Sequence, residues 1–220
     1  MLSQQIFTII IHIQRQNHYF TFKSLQGIMY NKGMQLGLDQ GMQNEDICRK
    51  MYITYPTYAF EGDYELEFEI TNEISLEFDL PITAIQIAGS AKTGYSYYQS
   101  RGFVKGESDL DVAIIDPFLF QAYCEIVMHE TKGLKDLTKF RRTEENNNYK
   151  SYIKYIANGY FRPDLMPACE PRKQWFNYFN KLSQKYVAHF SDINAGIYFS
   201  QTFFEYKQSE NIEIFKGNKL

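Results

Sequence analysis

The sequence predicts an α+β fold in which short strands and amphipathic helices interleave over 220 residues. Three features carry that expectation. The apolar runs that end at Ala88 and begin at Leu110 are short and bounded by polar or glycine-containing loops, as buried strands are. Trp175, Phe179, Leu182, Tyr186 and Phe190 recur at helical spacing. The composition, 44% hydrophobic and 22% charged, is that of a globular chain long enough to enclose a full core.

Each element can be justified in turn. Phe7, Ile9, Ile11 and Ile13 alternate, which suits a strand. The Gly- and Gln-rich stretch NKGMQLGLDQGMQ reads as a loop or an irregular arm. Two periods compete between Phe60 and Phe78. YELEFEIT alternates as a strand would, while Leu66, Ile70, Ile74 and Phe78 form an i, i+4 ladder. The length of the run and the stop at Pro81 favour a helix. A strand is expected at 84–88, followed by a Gly89-Ser90 turn that opens a short helix reaching Tyr97 or Tyr98. RGFVKGE is a loop, 110–115 a second strand, and Phe120, Tyr123 and Val127 mark another helix. TEENNNYK is the most polar, lowest-complexity segment and the expected hinge. Beyond the Trp175 helix, 193–199 reads as a last strand and a final helix runs through Phe204. The division that follows is an N-terminal arm (1–50), a core (51–140) and a mainly helical C-terminal part (150–220) packed on it.

Composition narrows the function. A formal charge of −3 gives no global electrostatic reason to bind nucleic acid, so a polyanionic partner would need a local basic patch or a metal. The 18 Tyr and 18 Phe read mainly as core and surface rings. Cys48, Cys124 and Cys169 form neither a CxxC pair nor a zinc pattern, which fits reduced thiols in a cytoplasmic protein. Ile6–Ile13 is too short to span a bilayer and has no basic segment before it, so no membrane association is expected.

The stretch IQIAGSAKTGYSYYQSRGFVKGESDLDVAIID (85–116) concentrates the chemistry. Gly89 and Gly94 have the G-x-x-x-x-G spacing of a phosphate loop, but Tyr95 stands where that loop needs lysine. In the D-x-D sites of phosphatases and sugar transferases the strand usually precedes the aspartates; here the apolar VAII follows them. On a strand, Asp109 and Asp111 project from one face while Leu110, Val112 and Ile114 occupy the other. Two adjacent carboxylates repel unless a cation sits between them, and Mg²⁺, which also binds phosphates, is the natural occupant. Upstream, the Gly89-Ser90 turn offers backbone N–H groups and a hydroxyl to a phosphate.

Gly89-Ser90, a spacer, and Asp109-Leu110-Asp111 opening an apolar strand resemble the core signature of the polymerase-β-type nucleotidyltransferase superfamily. GSAKTG…SDLDVAIID is especially similar to small bacterial nucleotidyltransferases, and more distantly to relatives of cyclic-dinucleotide synthases found in antiphage defence. The resemblance covers about 60–130. It implies a nucleotidyltransferase fold, a small mixed sheet flanked by helices with a helical C-terminal portion. It also implies in-line transfer of NMP from an NTP to a hydroxyl acceptor, with Mg²⁺ or Mn²⁺ as cofactor. On this basis Gly89, Ser90 and Lys92 would contact the nucleotide, and Asp109 and Asp111 would hold the metal and act in catalysis. The superfamily adds a third carboxylate from a later strand, for which Asp192 is the first candidate and Glu205 the second. The acceptor stays open among RNA, a protein hydroxyl, a small molecule and a second nucleotide. A partner protein in a toxin–antitoxin or phage-defence pair is also implied. Without a third carboxylate, the same fold would serve as a non-catalytic nucleotide-binding or partner-binding module.

Simpler roles stand beside these. Ser90 could cap the following helix, and Lys92 and Lys105 could be solvated loop lysines. Asp116, before Pro117, is expected to cap the next helix, and Ser108 to be a turn residue. Lys132, Lys135, Lys139 and Arg142 would share one helix face unless Gly133 breaks it, and an ordinary solvated face is the better reading of that stripe.

Overall fold

The computed structural model describes residues 29–141 and 147–217; the expected strand over Phe7–Ile13 and the start of the hinge segment lie outside them. The described chain opens with a helix over 29–39 (α1), then Asn44–Cys48 (α2), which widens into a π-helical turn over Arg49–Thr54. The loop reading of 31–43 is therefore corrected over 31–39, while 40–43 form the turn between the two helices. Gly33 and Gly37 are what the helix needs for close approach. A Cβ at Gly37 would lie 2.7 Å from Ile47 Cγ1, and one at Gly33 3.0 Å from Met51 Sδ. Composition suggested flexibility where tertiary contact demanded small residues.

Tyr64–Glu77 forms helix α3. The competing strand would have buried Leu66, Phe68 and Ile70 together; instead Leu66, Ile70 and Ile74 are buried and Phe68 turns out to solvent. β1 (Ile85–Ala88) leads into a single helical turn, α4 (Gly89–Thr93). That turn stops well short of Tyr97, because Gly94 takes a left-handed conformation (φ 79°) as its C-cap. The chain then folds into a two-stranded hairpin, β2 (Tyr95–Ser96) with β3 (Arg101–Gly102). β4 (Leu110–Ile115) follows, and Asp116 caps α5 (Pro117–Glu130) by accepting from Leu119 N at 2.7 Å.

α5 ends at Glu130, and Lys132, Gly133 and Leu134 all have positive φ. The basic stripe therefore has no helix face to lie on. Lys139 instead donates to Glu130 at 2.6 Å, and Arg142 is outside the described residues. The remaining elements are α6 (Asn148–Ala157), β5 (Tyr160–Phe161), α7 (Glu170–Lys185), β6 (Ile193–Tyr198) and α8 (Gln201–Gly217).

The main sheet is small and mixed, in the order β1-β4-β6-β5. β4 runs antiparallel to β1 and parallel to β6, while β5 is antiparallel to β6. Strands from both sides of the hinge segment thus share one sheet, and β6 pairs directly with β4. One face presents Ile87, Leu110, Val112, Ile114, Ile193 and Ile197 to a core shared with α3, α5 and α7. The other carries Ala88, Ala113 and Tyr198 against α2 and α8. Near Asp111 and Asn194 this second face is left uncovered, and the cleft described below opens there.

Candidate functional site

Strand alternation is the starting point. Leu110, Val112 and Ile114 fill the core face of β4, so Asp111 emerges on the opposite face, and Asp109, two residues earlier, falls on the same side. Both line a cavity of about 190 Å³ together with Gly89 and Ser90. Gly89 sits directly over Asp111. It has φ 61°, and a Cβ there would lie 2.1 Å from Asp111 Oδ2. No side chain could share that position with the carboxylate, so the glycine turn and the aspartate are fitted to one another.

Asp111 keeps contact with solvent through the cleft, while protein surrounds it on its other sides. That burial, and then the charge of Asp109, push its carboxyl up to about 6. Among the described residues neither aspartate side chain has an ion pair or a hydrogen bond. Two adjacent carboxylates without a protein cation beside them, next to a glycine turn, are a donor set suited to a hard divalent cation. Ser90 is the second residue of α4, whose N-cap is Ala88 with no side-chain cap; the Ser90 hydroxyl is therefore not the helix cap.

The two candidates for a third carboxylate lie elsewhere. Asp192 Oδ1 accepts from Ser183 Oγ at 2.6 Å and from Ile193 N at 2.9 Å, tying the start of β6 to α7. Glu205 is almost fully buried and takes both arms of Arg49, at 2.8 and 2.7 Å, and the amide of Gln201. Neither lines the cleft. The β6 residue in register with Asp111 is Asn194, and the two line an adjoining cavity of about 510 Å³. Among the described residues, no group of three or more His, Cys, Asp and Glu converges to hold a metal.

Lys92 is likewise placed away from the cleft. It is 4% exposed, and its Nζ donates to Tyr55 O at 2.7 Å. Burial lowers its amine to about 8, partly opposed by Glu67. Because the folded protein then binds fewer protons than the unfolded chain between about pH 8 and 10, this group adds stability as pH rises through that window. Urea unfolding should accordingly show wild type gaining about 2 kcal/mol over Lys92→Met between pH 7.5 and 10. A pH-independent difference would mean that Lys92 is not buried as a cation.

Other residues of the site come from distant segments. Tyr160 and Arg162 arrive with β5, Asn180 with α7, and Lys207, Gln208 and Asn211 with α8. Tyr160 stacks on Tyr198 with centroids 4.4 Å apart, over Gly196. Sequence periodicity marked none of them for this cleft, since their shared location depends on the strand order. The tyrosine-rich GYSYYQS of the hairpin, which brings Tyr95, Tyr97 and Tyr98 to the smaller cavity, was the visible signal.

Among the described residues no helix is long and apolar enough to cross a membrane. Comparison with protein-family models, curated proteins and solved structures finds no match to this chain.

Proposed function

We propose that the cleft binds a nucleoside triphosphate through a divalent cation, Mg²⁺ or Mn²⁺, and that the chain is a nucleotidyltransferase of the polymerase-β type acting on a hydroxyl acceptor. The observation that carries this reading is the fitted pair of Gly89 and Asp111, with Asp109 beside them and no protein cation to neutralise either carboxylate among the described residues. Asp109 and Asp111 would hold the cation, and Ser90 would supply its hydroxyl to the triphosphate from the same cavity. A bound divalent cation supplies charge neutralisation for the phosphates and the departing pyrophosphate. The chain's own part is to place Asp111 on a central strand with Asp109 just before it, and to leave room over Asp111 through Gly89.

A second reading is favoured by one observation. Asn194, a neutral amide, is Asp111's partner on β6, while Asp192 and Glu205 are committed to other contacts. With two carboxylates instead of three, the same site would bind a cation-bound nucleotide and serve as a sensor or partner-binding module without turnover.

A transfer assay separates the two. Each α-labelled NTP is incubated with Mg²⁺ or Mn²⁺ and cellular RNA and protein, using wild type and Asp109→Asn/Asp111→Asn. Label should enter an acceptor with wild type and fall at least about a hundredfold in the double variant, a loss comparable with that from removing other key catalytic groups. No transfer, with NTP and Mg²⁺ still raising the melting temperature, would establish the second reading. If neither transfer nor stabilisation occurs, both readings are abandoned.

A further inference from the structure

We infer that a third cavity, between α6 and α8, is a binding groove for a single-stranded nucleic acid, and that such a strand is the acceptor. The assignment of an acceptor rests on the nucleotidyltransferase reading; the groove itself does not. The cavity measures about 800 Å³ and adjoins both parts of the carboxylate cleft. It shares Tyr98 and Asn211 with the smaller part, and Tyr160, Arg162, Lys207 and Gln208 with the larger. A molecule lying in it would therefore lead toward Asp109 and Asp111.

Two of its rings are free to receive a base. Tyr98 is 86% exposed and Tyr206 58% exposed, and neither stacks on another ring among the described residues. The other aromatic walls are already paired: Tyr155 with Tyr160, and Phe203 with Phe199. Exposed tyrosines are costly as solvent-facing surface but are efficient platforms for unpaired bases, whose π-faces are all alike.

The charge points the same way. Lys154, Arg162 and Lys207 line the cavity, against Glu210 as its one carboxylate among the described residues. Lys154 has no ion pair among the described residues, whereas Lys207 pairs with Glu210, and Arg162 lies 5.0 Å from the Tyr155 ring centroid while paired with Asp164. In a chain of net charge −3, the groove keeps one unpaired cation, Lys154, and two more, Arg162 and Lys207, whose solvent-accessible carboxylate partners a phosphate could displace. The amides of Asn158, Gln208 and Asn211 add donors and acceptors suited to base edges. Rings, cations and amides along one groove match a flexible strand with exposed bases and a phosphate backbone.

The test is fluorescence anisotropy of the full chain with labelled ten-nucleotide RNA and the same sequence as DNA, without NTP. Wild type should bind saturably, with log K falling against log salt at a slope between about −0.7, for Lys154 alone, and about −2, where Arg162 and Lys207 also exchange their carboxylates for phosphate. Tyr206→Ala should weaken binding about tenfold and Tyr206→Phe hardly at all, because the ring and not the hydroxyl does the stacking. Lys154→Gln should flatten the salt slope by about 0.7. In the same proteins, stabilisation by NTP and Mg²⁺ should be unchanged, since neither residue touches the carboxylate cavity. RNA bound in preference to DNA, or both alike, fits the groove and distinguishes the source of the strand. Failure of both oligonucleotides to saturate, or equal binding by Tyr206→Ala and Lys154→Gln, would overturn the inference and leave the rings as a protein-docking face. Oligonucleotide binding without any NTP stabilisation would keep the groove and remove the nucleotidyltransferase reading.

Discussion

Gly89→Ala is expected to abolish Mg²⁺-dependent nucleotide stabilisation and to lower the melting temperature by about 2–8 °C from its backbone effect alone. Gly89 has φ 61°, a conformation that costs an L-residue about 1–2 kcal/mol. Each kcal/mol corresponds to about 2–4 °C for a chain of this size. The added methyl would also meet Asp111 Oδ2 at 2.1 Å, so either the carboxylate or the turn must move. Movement of either separates the two parts of the proposed cation and phosphate site. Thermal unfolding with and without Mg²⁺ and a non-hydrolysable NTP reads both effects. Adding Asp111→Ala to Gly89→Ala should return part of the lost melting temperature by removing the clash, without restoring the nucleotide response. A Gly89→Ala protein that melts and responds like wild type would show that the turn and Asp111 are not packed as described.

Trp175→Ala is expected to produce the largest loss of stability, about 3–5 kcal/mol. Its ring is 3% exposed and lies within 5.3 Å of three others: Phe78 at 5.0 Å, Tyr123 at 5.3 Å and Phe179 at 4.9 Å. These come from the end of α3, from α5 and from α7, so the indole joins three helices on one face of the sheet. Truncation removes a large buried area and leaves a cavity that rings held by separate helices cannot easily close. In urea the unfolding midpoint should fall sharply. Phe118→Ala, on a ring 79% exposed, should change stability by less than about 0.5 kcal/mol. A Trp175→Ala cost below about 1 kcal/mol would contradict the packing between α3, α5 and α7. The same indole lines the larger cavity of the cleft, so its loss should also weaken nucleotide stabilisation at temperatures where the variant remains folded.

Much of the secondary structure was legible because it follows from near neighbours. The ladder Leu66, Ile70 and Ile74 identified α3 despite the alternation of YELEFEIT, and Asp116 before Pro117 gave a true helix cap. Trp175, Phe179 and Leu182 marked the buried stripe of α7. The readings that failed were those in which a residue's meaning depends on a distant partner. Gly33 and Gly37 resemble loop residues until Ile47 and Met51 press against them. Lys92 resembles a phosphate-binding lysine until its amine is found on the Tyr55 carbonyl.

The sequence by itself determined that β1 ends in a glycine turn and that Asp109, just before β4, and Asp111, its second residue, fall on one side, because strand alternation and glycine conformations are properties of a few consecutive residues. Only the tertiary structure decided what stands beside those aspartates. Pairing β6 in parallel with β4 put Asn194, not Asp192, in register with Asp111, and the ties to Ser183 and Arg49 took Asp192 and Glu205 away from the cleft. A shift of one residue in that pairing would have reversed which side chains reach the site. Register is set by the burial of Ile193 and Ile197 in the core, on a strand far along the chain from Asp111, which no local pattern around the DLD motif contains.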